Sequence, residues 1–189
     1  LEVLSSLTCA PGTIVKEVSN VERMLISGVA KDTDIARISV VGVPDEPGLA
    51  FKMFSKLAAK DVNIDIILQS IGRDGTKDIA FTCAKDKLND AKEVINAFMP
   101  TLKAQKVVYD EDVAKVSIVG AGMESHSGFA SKMFEALYNA NINIQMISTS
   151  EIKISVLINT ADADRAVAAL HATVSYTHLR AHETKANLV

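Results

Sequence analysis

The stretch Val113–Ser155, VAKVSIVGAGMESHSGFASKMFEALYNANINIQMISTSEIKIS, decides the fold. It reads as a strand, a glycine-bearing loop, a helix, a second strand and the start of a third. An earlier run, Ile35–Ser70, IARISVVGVPDEPGLAFKMFSKLAAKDVNIDIILQS, repeats it. Gly42 answers to Gly120, 78 residues on. Beyond the loop the offset becomes 80: Gly48 matches Gly128, Lys52-Met53-Phe54 matches Lys132-Met133-Phe134, and Ser70 matches Ser150. An internal repeat governs every other reading of a chain. Two copies are too few for a solenoid, so these are sister modules. They differ in length at the loop, the kind of place where binding specificity changes while a scaffold is kept.

A chain of 189 residues has room for one or two domains, and 48% hydrophobic content suits packed globular structure. A formal net charge of −3 argues against a general nucleic-acid surface, which needs a basic face. The two cysteines, Cys9 and Cys83, are isolated and not at metal spacing; they read as core or edge thiols of a reducing cytoplasm. No apolar run approaches the roughly 20 residues of a membrane span, and no signal-peptide pattern is present. The expected location is cytoplasmic.

Residues 1–22 carry a turn signal at Ala10-Pro11-Gly12-Thr13 and read as the end of a preceding domain with its linker. Residues 24–30 are strand-like, and Lys31-Asp32-Thr33-Asp34 is a polar break. The first module, 36–110, begins with a strand over 37–43 and a loop, Pro44-Asp45-Glu46-Pro47-Gly48, with Pro47 just ahead of the helix that starts at Leu49, as suits a first-turn proline. A strand over 62–71, a turn at Asp74-Gly75 and a strand over 78–83 follow. The next helix is expected to stop before Pro100, and 106–109 forms a fourth strand. The order βαββαβ predicts an α+β, ferredoxin-like fold with two helices on one face of an antiparallel sheet. The second module repeats this order with strands near 115–120, 142–149 and 153–158 and helices near 128–140 and 162–172, but has no fourth strand. The orphan strand at 24–30 is therefore predicted to complete the second sheet. Module two is then 23–31 plus 113–173, with the first module inserted within it. At about 70–80 residues each, the modules have marginal cores and are expected to pack together. Residues 174–189, VSYTHLRAHETKANLV, leave the repeat and resemble vector-derived translation, so they are set aside. His178 and His182 are spaced to share a metal on a helix, but no third ligand is evident.

The chemical inventory is largely negative. There is no phosphate-binding Walker loop and no nucleophile elbow. Gly120-Ala121-Gly122 with Gly128 lacks dinucleotide-fingerprint spacing. The central strands lack the stacking aromatics of an RNA-recognition module. Neither corner loop contains the arginine that an acylphosphatase-like enzyme requires. What remains are two strand–loop–helix corners. A helix N-terminus offers unpaired N–H groups to a carboxylate, and Gly48 and Gly128 leave the backbone open to close approach. Asp45 either caps its helix or holds an ammonium group. Asn63, Asp65 and Gln69 alternate so as to share one face, either a ligand-facing surface or a solvated edge; the second strand of module two also carries polar residues, Asn143, Gln145, Ser148 and Ser150. His126 is the only histidine in a corner loop. A small zwitterion would find both charges answered at one corner, and two or three charge-assisted hydrogen bonds of roughly 1.5–3 kcal/mol suffice for sub-millimolar affinity.

VGVPDEPGLA, NIDIILQS, VAKVSIVGAGMESHSG and NIQMISTSEIKISVLI together resemble the tandem ACT domains in the regulatory part of aspartate kinases, from residue 1 to about 172. The resemblance implies a region that binds lysine, threonine or both and inhibits the kinase domain allosterically. The parent enzyme would phosphorylate L-aspartate with ATP. Its KFGG-type motif is absent here, so the ATP and Mg sites belong to a catalytic domain or large subunit outside this chain. The resemblance assigns Asp45, Gly48, Ala50 and Gln69 to one effector corner. Asn143 and Ile144 would complete that corner from the partner chain of a homodimer formed through the ACT modules. A second, lysine-type site would use Asp65 with Met123, His126, Gly128, Ser150 and Glu151. Ser127, where many members have proline, and Leu49 and Ala80, where some have polar residues, bear on which effector is bound. The rival reading is a structural dimerisation module without a ligand.

Overall fold

The computed structural model describes residues 28–72, 75–120 and 128–173 in full, the helical backbone of 174–183, and two short strands, β1 (Glu2–Val3) and β2 (Thr13–Ile14), paired antiparallel. Then come β3 (Gly28–Asp32), β4 (Ile35–Pro44), α1 (Leu49–Ala59), β5 (Ile67–Ile71), β6 (Thr76–Ala84), α2 (Leu88–Leu102) and β7 (Lys106–Asp110). The second module runs through β8 (Val113–Val119), α3 (Phe129–Asn139), β9 (Met146–Thr149), β10 (Lys153–Asn159) and α4 (Ala163–Glu183). Two four-stranded antiparallel sheets result, in the orders β5–β6–β4–β7 and β3–β8–β10–β9. β3 pairs with β8, Gly28 opposite Val119 and Asp32 opposite Lys115, so the first module is inserted within the second.

Each sheet is apolar on the face its helices cover. In the first module Ile38, Val40 and Phe81 meet Met53 and Leu57 of α1 and Ile95 and Leu102 of α2, and Phe54 packs edge-on to Phe81 at 5.4 Å. In the second, Val116, Ile118 and Val156 meet Met133 and Leu137 of α3 and Ala166 and Leu170 of α4. A third cluster, Ile35, Ile66, Val113, Met146 and Leu157, draws on both modules and joins them, as their marginal size requires.

Several boundaries differ from expectation, each for a physical reason. β3 runs on through Lys31 and Asp32, expected as a polar break, because Lys31 pairs with Asp164 of α4 and Asp32 with Lys115; residues 24–27 lie outside the described residues. Pro47 stands just ahead of the helix, as expected, with Gly48 as the N-cap residue. Pro100 lies inside α2. Only the last turn follows it, and buried Phe98 and Leu102 hold that turn against the sheet although proline supplies no N–H. α4 continues as helix to Glu183, beyond the expected end near 172.

Candidate functional site

The first-module corner is built by a bulge. The ladder between β4 and β6 shifts register between Val40 and Val43, where Gly42 has a φ of 71° and its N–H donates to the Asp78 carboxylate at 2.8 Å. A bulge bends its strand and re-aims the side chains beyond it. Beyond it Val43 is buried in the core, and Asp45 is exposed just past the end of the strand. The Asp45 N–H donates to the carbonyl of Gly75 at 3.0 Å and pins the loop to the turn between β5 and β6. Lys77, opposite Val43 in the ladder, places its Nζ 2.6 Å from Asp45 Oδ1.

α1 starts from Gly48 in the left-handed conformation, φ 89°, with no side-chain cap. Asp45 therefore does not cap the helix; its carboxylate holds an ammonium group, that of Lys77. A Cβ built on Gly48 meets nothing within 4 Å, so the backbone there is open. Asp45, Gly48, Ala50 and Gln69 all line one cleft of about 260 Å³, together with Glu46 and Lys77. One wall is the start of α1, whose first-turn N–H groups lack intrahelical partners and carry the positive end of the dipole. The carboxylate of Asp45 lines the same cleft. Gln69 stands at the open side, on the edge strand β5 opposite Ile79. The arrangement can hold an anion and a cation a short distance apart, which is the charge layout of an amino acid.

Asn63 and Asp65 do not share this face with Gln69. The strand becomes regular only at Ile67; before it, the Asp65 N–H donates to the Thr82 carbonyl (3.2 Å) and the Ile66 N–H to Thr82 Oγ1 (3.1 Å). The irregular pairing breaks the alternation. Asn63 and Asp65 instead line a separate cleft of about 280 Å³ with Asp32, Asp34 and Lys115. There the Lys115 ammonium bonds Asp65 and lies 3.2 Å from Asp32. Burial acts to lower the Lys115 pKa, but the hydrogen bonds and charges of Asp65 and Asp32 outweigh it and hold it above the ordinary lysine value.

In the second module, α3 starts from Gly128, φ 104°, as α1 does from Gly48. Ser150 and Glu151 are exposed in the turn after β9, where the Ser150 N–H donates to the Lys153 carbonyl at 2.7 Å. Asp65 lines the cleft with Lys115. Met123, His126 and Ser127 lie outside the described residues, as does Cys9, and the side chains of His178 and His182 are likewise not described. Asn143 is exposed and Ile144 half-buried against the second core, both just ahead of β9. Cys83 is buried and free, its thiol pushed up by burial and then by the Asp86 charge. Among the described residues no group of three or more His, Cys, Asp or Glu side chains could hold a metal ion. No helix among them is long and apolar enough to cross a membrane.

Sequence reasoning alone assigns no site role to Lys77 and Glu46 of the first cleft or to Lys115, Asp32 and Asp34 of the second. Lys77 lies two residues past the Asp74-Gly75 turn, and that turn signal is the available clue to its place beside β5.

The ACT domain family profile matches residues 38–98 and 116–174. An aspartokinase of Mycolicibacterium smegmatis is 48% identical over 176 residues, 90% of this chain and 42% of the relative. A crystal structure of aspartokinase alpha and beta subunits contains a chain 40% identical, with a TM-score of 0.75 over 79% of this chain and 99% of that one. The ligand-free regulatory subunit of aspartate kinase from Thermus thermophilus is 38% identical, TM-score 0.73, over 78% of this chain and 98% of that one. The chain thus spans about two fifths of the length of the curated relatives it matches, and nearly all of two regulatory-subunit-sized chains.

Proposed function

From the premise that this chain belongs to the ACT domain family, as the regulatory region of an aspartokinase, we propose that it binds lysine or threonine at the Asp45 corner for feedback inhibition. The observation that carries the reading is one cleft lined by both Asp45 and the N-terminus of α1, which starts from Gly48 without a side-chain cap. An α-ammonium group on Asp45 and an α-carboxylate on the first-turn N–H groups would answer both charges of an amino acid, and Gln69, which lines the same cleft, would bond its side chain. Gly48 keeps the approach clear.

Asn143 and Ile144 would close the cleft from a second copy. β5 supports such a partner: it is an edge strand, and Ile67, Leu68 and Ile71 are all exposed. An open apolar edge invites strand pairing. A ligand held between two copies favours whichever subunit arrangement it fits better, and that difference is the allosteric signal. The signal would reach a catalytic domain or large subunit that phosphorylates L-aspartate with ATP, in the cytoplasm, where a buried free thiol such as Cys83 persists.

Thermal denaturation of the chain against each of the common amino acids tests this. Lysine or threonine is expected to raise Tm, with stability growing as the logarithm of concentration above Kd. A Tm unmoved by every amino acid, with dimerisation intact, would leave the same apolar edge serving a purely structural association module.

A further inference from the structure

Resting on the reading that the Asp45 cleft takes an amino acid, we propose that Asp78 is a positioning residue of that site. It does not line the cleft; its carboxylate holds the bulge at Gly42, and the bulge sets the path by which β4 enters the loop that carries Asp45.

Up to the bulge β4 buries every second residue, Ala36, Ile38 and Val40, and Val40 stands opposite Ile79. Carried on without a bulge, that register would put Gly42 opposite Lys77 and turn Val43 away from the core, because a slip of one residue exchanges the two faces of a strand. Instead Val43 stands opposite Lys77 and is buried. Val41 and Gly42 thus answer to one residue, Asp78, whose half-buried carboxylate takes the Gly42 N–H at 2.8 Å. A bond to a carboxylate is stronger than the neutral bonds of the ladder beside it. On the other side of β4 the Gln105 N–H donates to the Val41 carbonyl at 2.9 Å. Only beyond this point does Pro44 come opposite Thr76, and the Asp45 N–H reach the Gly75 carbonyl in the turn between β5 and β6.

The sister module reaches its corner by another route. β8 keeps one register on β10, from Val113 opposite Asn159 to Val119 opposite Lys153. The next residue, Gly120, counterpart of Gly42, gives its N–H to a backbone carbonyl, that of Ile152, at 2.9 Å. The loop that follows is two residues longer than in the first module, the step from an offset of 78 to one of 80. A side chain therefore does in the first corner what the backbone does in the second, and the shorter loop is aimed by it.

The test is calorimetric titration of the whole chain with L-threonine and, separately, L-lysine, for the native protein, D78A, D78N, D78E and T82V. D78A loses the acceptor, D78E keeps the charge but moves it, and D78N keeps an acceptor oxygen in place without the charge. T82V is the control for stability alone: it removes another side-chain acceptor of β6, the Thr82 hydroxyl that takes the Ile66 N–H at 3.1 Å, away from the bulge. Apparent affinity falls with the fraction of molecules that hold the bulged register. D78A and D78E are therefore expected to bind at least about fivefold more weakly than the native chain, by one factor for every amino acid it binds, while D78N and T82V stay within about twofold. T82V should still lower Tm. Native affinity in D78A or D78E, a D78N as weak as D78A, or a T82V as weak as D78A overturns the proposal and leaves the amino-acid cleft standing. Where D78A does not fold, D78N against D78E decides alone. Binding of neither amino acid by the native protein overturns the reading of the cleft and the proposal with it.

Discussion

Lys115, on the second strand of the second module's sheet, places its ammonium on the carboxylate of Asp65 in the first module and 3.2 Å from that of Asp32 on β3. One side chain thus ties the inserted module to the sheet of its host, at the rim of the apolar cluster formed by Ile35, Ile66, Val113, Met146 and Leu157. Removing it leaves two carboxylates facing each other without a counter-ion. K115M is expected to lower unfolding stability by about 1–2 kcal/mol, read by urea denaturation near neutral pH. The folded pKa is raised, so the contribution is fully present below the ordinary value of 10.5 and is lost as pH rises through the higher folded value. The gap between native and K115M proteins should therefore persist across neutral pH and close only above about pH 10.5. An equal stability at pH 7 would remove Lys115 as the tie between modules.

Gly42 makes the bulge that aims Asp45, and two features forbid a side chain there. Its φ of 71° is left-handed, and an added Cβ would lie 2.5 Å from the Gln105 side chain. G42A is expected to cost about 2–3 kcal/mol, since strain and displacement add. Gly48 has the same handedness but open space, so G48A should cost only about 1 kcal/mol. Shortening the obstructing side chain should recover part of the first loss. G42A with Q105A would then be more stable than G42A alone, and additive losses in that double mutant would place the strain elsewhere.

The edge strand β5 exposes Ile67, Leu68 and Ile71, the last at 93%. Introducing charge on such an edge opposes strand pairing. I71E is expected to shift sedimentation at micromolar concentration from dimer toward monomer with unfolding of the monomer little changed. Association unchanged by I71E would remove β5 as the proposed pairing edge and point to another face, such as that around Tyr138 on α3, itself 81% exposed.

How far these features are legible in the sequence depends on the range of the interactions behind each. The repeat makes both corners visible, because a glycine before a helix and a strand before a loop are local signals; Gly48 and Gly128 hold the left-handed positions. The completion of the second sheet by β3 is legible by counting strands. Register is not. Asp45 meets Lys77 only because the bulge at Gly42 shifts the ladder, and Asp65 leaves the face of Gln69 only because the pairing before Ile67 is irregular. Both depend on bonds to distant residues, Asp78 and Thr82, which no local pattern announces. Pro100 signals a helix stop by propensity, and tertiary packing of Leu102 overrides it.

The measurement that bears most directly on the central claim is calorimetric titration of the native chain, D45A and Q69A with L-threonine and L-lysine. Saturable sub-millimolar binding by the native chain is expected, weakened at least about tenfold in D45A, which loses a charged partner, and about threefold to tenfold in Q69A. Both variants should melt within about 1 kcal/mol of the native chain, because Asp45 and Gln69 lie at an open cleft and not in the core. Binding that is absent in the native chain, or equal in all three proteins, would contradict the assignment of this corner as the effector site.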